Sequence, residues 1–186
     1  TEMNITELST LMRENGVVGA GGAGFPSYAK LNEKADTIIL NCAECEPLLK
    51  LHRQVLEKYA YEIMSTLESI AEAVGASHVI IAIKGSYKEA VEAVKAQLAS
   101  FSKTEIGYLP EIYPAGDEVI TIYETTGRVV PPGSLPIEVG VIVYNVETIY
   151  NVYRAMASQD PVTYKYITIE GKIKKPVTLK APLGIT

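Results

Sequence analysis

Apolar residues recur at helical spacing from the start of the chain. In NITELSTLMREN, residues 4–15, Ile5, Leu8, Leu11 and Met12 fall on one stripe and Gly16 ends the run, which predicts a short amphipathic helix. A longer stripe of Leu49, Val55, Leu56, Tyr59, Ile63, Leu67, Ile70 and Val74 predicts one helix over 48–74, stopped by Gly75. Asp36-Thr-Ile-Ile-Leu-Asn41 lies between them and is apolar without alternation, the signature of a strand buried on both faces. The same two patterns then repeat. Strands are predicted over 78–83 and 105–109, helices over 87–98, 117–126 and 146–156, with an irregular loop VPPGSLP and an apolar segment over 139–143 before the last helix. Strands alternating with helices define an α/β chain with a layered, largely parallel sheet flanked by helices.

The pattern changes after Asp160-Pro161. TYKYITIEGKIKKPVTLKAPLGIT alternates apolar and polar residues around Glu170-Gly171 and predicts a β-hairpin that opens a second, β-rich unit. Residues 1–160 are therefore read as one α/β domain and 161–186 as the beginning of another.

Composition narrows the function. With 47% hydrophobic and 21% charged residues, the 186-residue chain has the make-up of an ordinary globular protein. Its net charge is −5 and its 17 basic residues are scattered, which argues against a nucleic-acid partner. No apolar run approaches the roughly 20 residues of a membrane helix, and no signal-peptide pattern opens the chain, so a cytoplasmic protein without direct membrane insertion is expected. Cys42 and Cys45 are the only cysteines and His52 and His78 stand far apart, so no metal site is expected within the chain.

Four loops carry the candidate chemistry. GAGGAGFPSYAK, residues 19–30, holds Gly19, Gly21, Gly22 and Gly24 within six positions, and its spacing satisfies the dinucleotide pattern GxGxxG. That pattern needs a strand before it and a helix after it; here a helix precedes the loop and Phe25-Pro26 interrupts the segment beyond it. There remains a segment whose backbone can approach a flat or anionic ligand closely, with Lys30 as a cation; the alternative is a flexible turn.

NCAECEP, residues 41–47, follows a predicted strand, where open α/β sheets bind ligands. Its Cys42-x-x-Cys45 spacing mimics a thiol redox motif, but Glu44 and Glu46 would raise the thiol pKa, and small buried cysteines are the plainer reading. The two glutamates either hydrogen-bond ligand hydroxyls or sit in a solvated helix start. In YPAGDE, Asp117 is a candidate helix cap. In YNVET, Asn145 either caps the last helix or donates to a ligand. The common edge shared by all four loops favours one site.

In this order the four motifs resemble the flavin-carrying subunit of respiratory complex I and its relatives, above all the C subunit of the Rnf electron-transport complex and the cobalamin reductase of propanediol-utilising microcompartments. The stretch YPAGDEVITIYETTGRVVPPGSLPIEVGVIVYNVET is similar throughout, and the tail resembles the start of a soluble-ligand-binding β-grasp domain. The resemblance implies an FMN-binding domain of an NADH-oxidising electron-transfer flavoprotein, with 4Fe-4S clusters carried outside this chain. It also implies other subunits of an electron-transfer complex as partners, and a location at the inner membrane face or inside a microcompartment.

Residue by residue, it implies that Gly19, Gly21, Gly22, Gly24 and Lys30 meet the flavin. Asn41, Glu44 and Cys45 would hold its edge and ribityl chain, Gly116 and Asp117 line the pocket, and Asn145 and Thr148 meet the phosphate end. Phe25, Glu46 and Glu118 match positions on the NADH side. The relatives carry an arginine where Ala20 stands, an acid where Ala43 stands, and adenine-stacking aromatics where Leu31, Asn32 and Glu33 stand. Two other readings stay open: a thiol redox protein using Cys42 and Cys45, and a cofactor-free scaffold that docks a partner.

Overall fold

A computed structural model describes residues 3–185. Helix α1 (Ile5–Glu14) is capped by Asn4, which accepts from the Glu7 N–H while Glu7 returns a bond to the Asn4 N–H. Strands β1 (Thr37–Asn41), β2 (His78–Lys84), β3 (Thr104–Leu109) and β4 (Val141–Asn145) form one fully parallel sheet in the order β3-β2-β1-β4. The chain runs outward from β1 to β3 and then returns to place β4 on the other side of β1. The topological switch point therefore lies between β1 and β4, where Asn41 and Asn145 are register partners at the carboxyl ends.

Both faces of the sheet are covered. Leu40, Ile81, Ile83 and Tyr144 enter the larger core with α1, α2 (Leu51–Lys58), α3 (Ala60–Val74), α4 (Lys88–Lys95) and α6 (Val146–Ser158). Ile39, Ile80, Ala82 and Val143 enter a smaller core under α5 (Glu118–Thr126), with Val130. Burial on both sides explains why β1 and β4 read as uninterrupted apolar runs. Gly75 and Gly127 end α3 and α5 in left-handed conformation, as a helix stop requires.

The single helix predicted over 48–74 is two helices. It starts at Leu51 and breaks at Tyr59, whose φ of −127° and ψ of 33° are not helical. The Tyr59 ring stacks on Tyr150 of α6 with centroids 4.5 Å apart, a long-range contact outside the reach of a periodicity reading. The loop VPPGSLP leads into a short 3-10 turn over Pro136–Val139, and Lys30 ends another over Ser27–Lys30.

The tail forms the predicted hairpin, β5 (Tyr164–Ile169) against β6 (Val177–Pro182), antiparallel and separate from the main sheet. It is fastened to the α/β body by the Val162 N–H on Asn15 O and by Tyr166, which packs on the larger core. The outermost positions of the two expected units, 1–2 and 186, lie outside the described residues. Among the described residues no helix is long and apolar enough to cross a membrane.

Candidate functional site

The glycine loop follows α1, not a strand, and it closes on itself. Val18 and Pro26 form an isolated antiparallel bridge, and the Gly19 N–H donates to Phe25 O at 2.7 Å. Gly22 and Gly24 have positive φ of 126° and 64°, conformations that side chains resist. A Cβ at Gly21 would lie 2.2 Å from Asn145 Nδ2, so a side chain there would displace the Asn145 amide at the end of β4. The dinucleotide spacing is thus carried by a pinched loop with no strand feeding it.

This loop, the outer edge of β4 and the 3-10 turn after PPGSLP enclose a cavity of about 420 Å³. Gly19, Gly21, Phe25, Lys30, Glu118, Asn145 and Thr148 all line it, so the structure unites residues from three of the four motifs. Lys30 reaches across it. Its Nζ donates to Val143 O at 2.7 Å and to Glu118 Oε1 at 3.1 Å, and lies 5.7 Å from the centre of the Tyr144 ring. Because β4 is an edge strand, Val143 O has no strand partner, and the ammonium satisfies it.

At the other end Thr148 Oγ1 accepts the Ala20 N–H at 2.9 Å, which leaves its own proton free to donate into the cavity. Asn145 stands at the N-cap position of α6 but makes no side-chain cap bond; its amide is directed at Gly21 instead.

Several lining residues were not read from sequence: Ser27, Tyr144, and Leu135-Pro136-Ile137. Ser27 is the most informative. It is 1% exposed, and its Oγ has no hydrogen-bond partner, one of two such buried side-chain atoms among the described residues. A buried hydroxyl without a partner is costly unless a ligand or water engages it. Serine inside an apolar loop carries no local signal of this. Tyr144 is buried, which pushes its hydroxyl pKa up, and it donates to Ser27 O at 3.1 Å, fixing that segment under the loop.

The NCAECEP loop forms a second cluster, outside the cavity lining. Asn41 Nδ2 donates to Gly116 O at 2.8 Å and its Oδ1 accepts the Ala43 N–H at 3.1 Å. Gly116 fits tightly here, since a Cβ on it would stand 3.0 Å from Cys45 Sγ and 3.2 Å from Ala43 Cβ. Glu44 is buried and faces α2, where it accepts the His52 N–H at 2.8 Å and Arg53 Nε at 3.2 Å. Burial raises its pKa, opposed by those two donors. Asp117 caps α5 through the Val119 and Ile120 N–H groups. Glu46 is exposed beside the loop, and Gly22 and Gly24 face a smaller cavity of about 230 Å³ on the hairpin side.

The thiols do not resemble a redox pair. Cys42 is fully buried, and burial together with Glu44 pushes its pKa well up, opposite to what a reactive thiolate needs. Cys45 is exposed.

A parallel α/β sheet with a glycine loop and a lysine at a cavity on its edge strand defines a ligand-binding α/β domain. The chain is a member of the Nuo51 FMN-binding domain family, whose profile matches residues 12–154. It is 45% identical to cobalamin reductase PduS of Citrobacter freundii over 94% of this chain and 38% of that protein, and 40% identical to the Salmonella typhimurium protein over 100% and 41%. The C subunit of the Na(+)-translocating ferredoxin:NAD(+) oxidoreductase complex of Acetobacterium woodii is 32% identical over 99% of this chain and 43% of that one. The chain thus spans about two fifths of these relatives. The same fold occurs in an NAD+-reducing [NiFe]-hydrogenase, with a TM-score of 0.83 at 23% identity over 98% of this chain and 38% of the hydrogenase chain.

The cavity suits FMN on its own terms. Its volume lies in the usual range for small-molecule sites, its walls are largely apolar as a flat ring system needs, and its polar groups are few and differ in kind. Lys30 supplies a cation, Thr148 a hydroxyl donor and Asn145 an amide.

Proposed function

We propose that this chain is the FMN-binding domain of an NADH-oxidising electron-transfer flavoprotein of the Rnf C or cobalamin-reductase kind. The observation that carries the reading is the convergence of the glycine loop, the Lys30 ammonium, Asn145 and Thr148 on one cavity along the outer edge of β4. When bound, FMN supplies a two-electron acceptor that takes hydride from NADH and releases electrons singly.

The residues of the chain bind, orient and tune. The loop at Gly19 and Gly21 lets backbone approach the ring system without side-chain interference, and Gly22 and Gly24 supply the turns that hold it there. Lys30 brings positive charge to the ring as it gains electrons, in a partly water-excluded cavity where such charge counts most. Asn145 and Thr148 receive the phosphate end. Asn41, Glu44, Cys45, Gly116 and Asp117 shape the neighbouring wall, with Asn41 and Glu44 turned toward protein partners. Phe25, half-exposed at the mouth, with Glu46 and Glu118, presents the NADH side. No side chain is assigned a proton-transfer step.

Residues 1–160 form the flavin domain in this reading and 161–186 open a β-grasp unit. Electrons leave to iron–sulfur clusters outside this chain and on to other subunits of the complex, on the cytoplasmic side. The test is FMN titration followed by anaerobic NADH addition. Stoichiometric binding and bleaching of the visible flavin band are expected. Absence of binding at micromolar FMN overturns the flavin reading, whereas binding without bleaching confines the chain to holding FMN.

A further inference from the structure

The hairpin carries a lysine that reaches into the glycine loop. Lys165 Nζ of β5 donates to Ala20 O at 2.9 Å and to Glu147 Oε2 at 2.5 Å. Glu147 is 2% exposed, and its other oxygen accepts the Tyr166 N–H at 3.1 Å, so the lysine and its own strand are fixed by one buried carboxylate. Glu147 lies in the first turn of α6, between Asn145 and Thr148. Ala20 is consequently held from both sides, its N–H by Thr148 and its C=O by Lys165. Among the described residues these are the only hydrogen bonds that fasten residues 20–24 to the rest of the molecule.

Glycine loses more conformational entropy on ordering than any other residue, so a loop this rich in it is costly to order. A ligand that needs it ordered binds more weakly by that cost, unless the protein has ordered it beforehand. We propose that Lys165 is a positioning residue for the flavin site, pre-ordering the glycine loop from the hairpin through Ala20 O. This rests on the reading of the cavity as an FMN site. The β-hairpin is then a structural part of the cofactor site, and anything that moves β5 moves the loop.

Lys165→Met alone would leave the Glu147 carboxylate buried without its cation, which destabilises the protein for reasons unrelated to the loop. The decisive variant is therefore Lys165→Met with Glu147→Gln, which removes both charges and retains an acceptor for the Tyr166 N–H. Lys165→Arg keeps the charge and the donors. Hydrogen exchange of residues 19–25 in protein without added FMN, thermal unfolding, and FMN affinity by fluorescence titration are measured for each.

In the double variant, loop exchange is expected to accelerate and FMN to bind about tenfold more weakly, with a melting temperature near wild type. Lys165→Arg should restore most of both losses. Unchanged loop protection in the double variant overturns the proposal, as does faster exchange with unaltered FMN affinity. If wild-type protein binds no FMN, the flavin reading fails by itself, and the exchange measurement still decides whether Lys165 holds the loop.

Discussion

Two loops sit at the carboxyl edge of the sheet, and they treat their polar groups in opposite ways. NCAECEP, after β1, spends its polar groups on the protein: Asn41 on Gly116 and Ala43, Glu44 on the start of α2. GAGGAGFPSYAK, folded against the end of β4, leaves the Ser27 hydroxyl without a partner and aims a lysine across a cavity. Both motifs are candidates for a ligand in sequence. The difference teaches that readiness for a ligand depends on which hydrogen-bonding groups the rest of the fold has already taken. One wall should respond to mutation in stability, the other in affinity.

The largest effect is expected from pH on the first wall. His52 follows Glu44 into α2, its Nδ1 is buried without a partner, and burial with the nearby Lys165 charge lowers its pKa to about 4. The unfolded chain binds the proton near pH 6.5 and the folded chain only near 4, so stability should fall by roughly 3 kcal/mol between those values and level off below. Glu44 acts in the opposite direction, since a carboxyl raised by burial favours the folded state as pH falls. The His52 share is isolated by comparing denaturant unfolding of wild type and His52→Gln across this range; parallel curves would remove it.

Glu44→Ala should cost about 2 kcal/mol of stability by leaving the His52 N–H and Arg53 without their acceptor, with FMN affinity nearly retained. A loss of affinity without a loss of stability would break the comparison and return Glu44 to the ligand side. Lys30→Met should do the reverse. Its ion pair with Glu118 is partly exposed and contributes little to folding, but FMN binding should weaken about tenfold, seen by titration.

Ser27→Ala separates the two walls by sign. Removing an unpartnered hydroxyl should leave unfolding stability unchanged or slightly higher, while FMN affinity falls a few-fold. Lower stability would mean that Ser27 serves the fold. Cys45→Ser should have the smallest effect, leaving flavin reduction by NADH intact; complete loss would favour thiol chemistry.

Much of this architecture is legible from local sequence. The apolar run of β1, the stops at Gly75 and Gly127, the Asp117 cap and the hairpin after Asp160 are all signalled by residues within a few positions, whereas the segment over 139–143 was apolar without declaring itself the strand β4, Val141–Asn145. The break at Tyr59 was not legible, because the ring that stacks on it lies 91 positions away in sequence (150 − 59). The glycine loop could be singled out, but its spacing suggested a dinucleotide pattern that the preceding helix does not support.

The sequence alone determined the order of strands and helices, the glycines that permit a tight loop and the lysine that follows them, since periodicity and backbone freedom are properties of short segments. Only the tertiary structure decided that Glu44 serves α2, that Ser27 is left unpartnered, and that Lys165 grips a carbonyl 145 residues earlier. Each of these depends on hydrogen bonds between groups far apart in the chain, and a buried donor or acceptor is satisfied or left free by whatever the fold brings beside it.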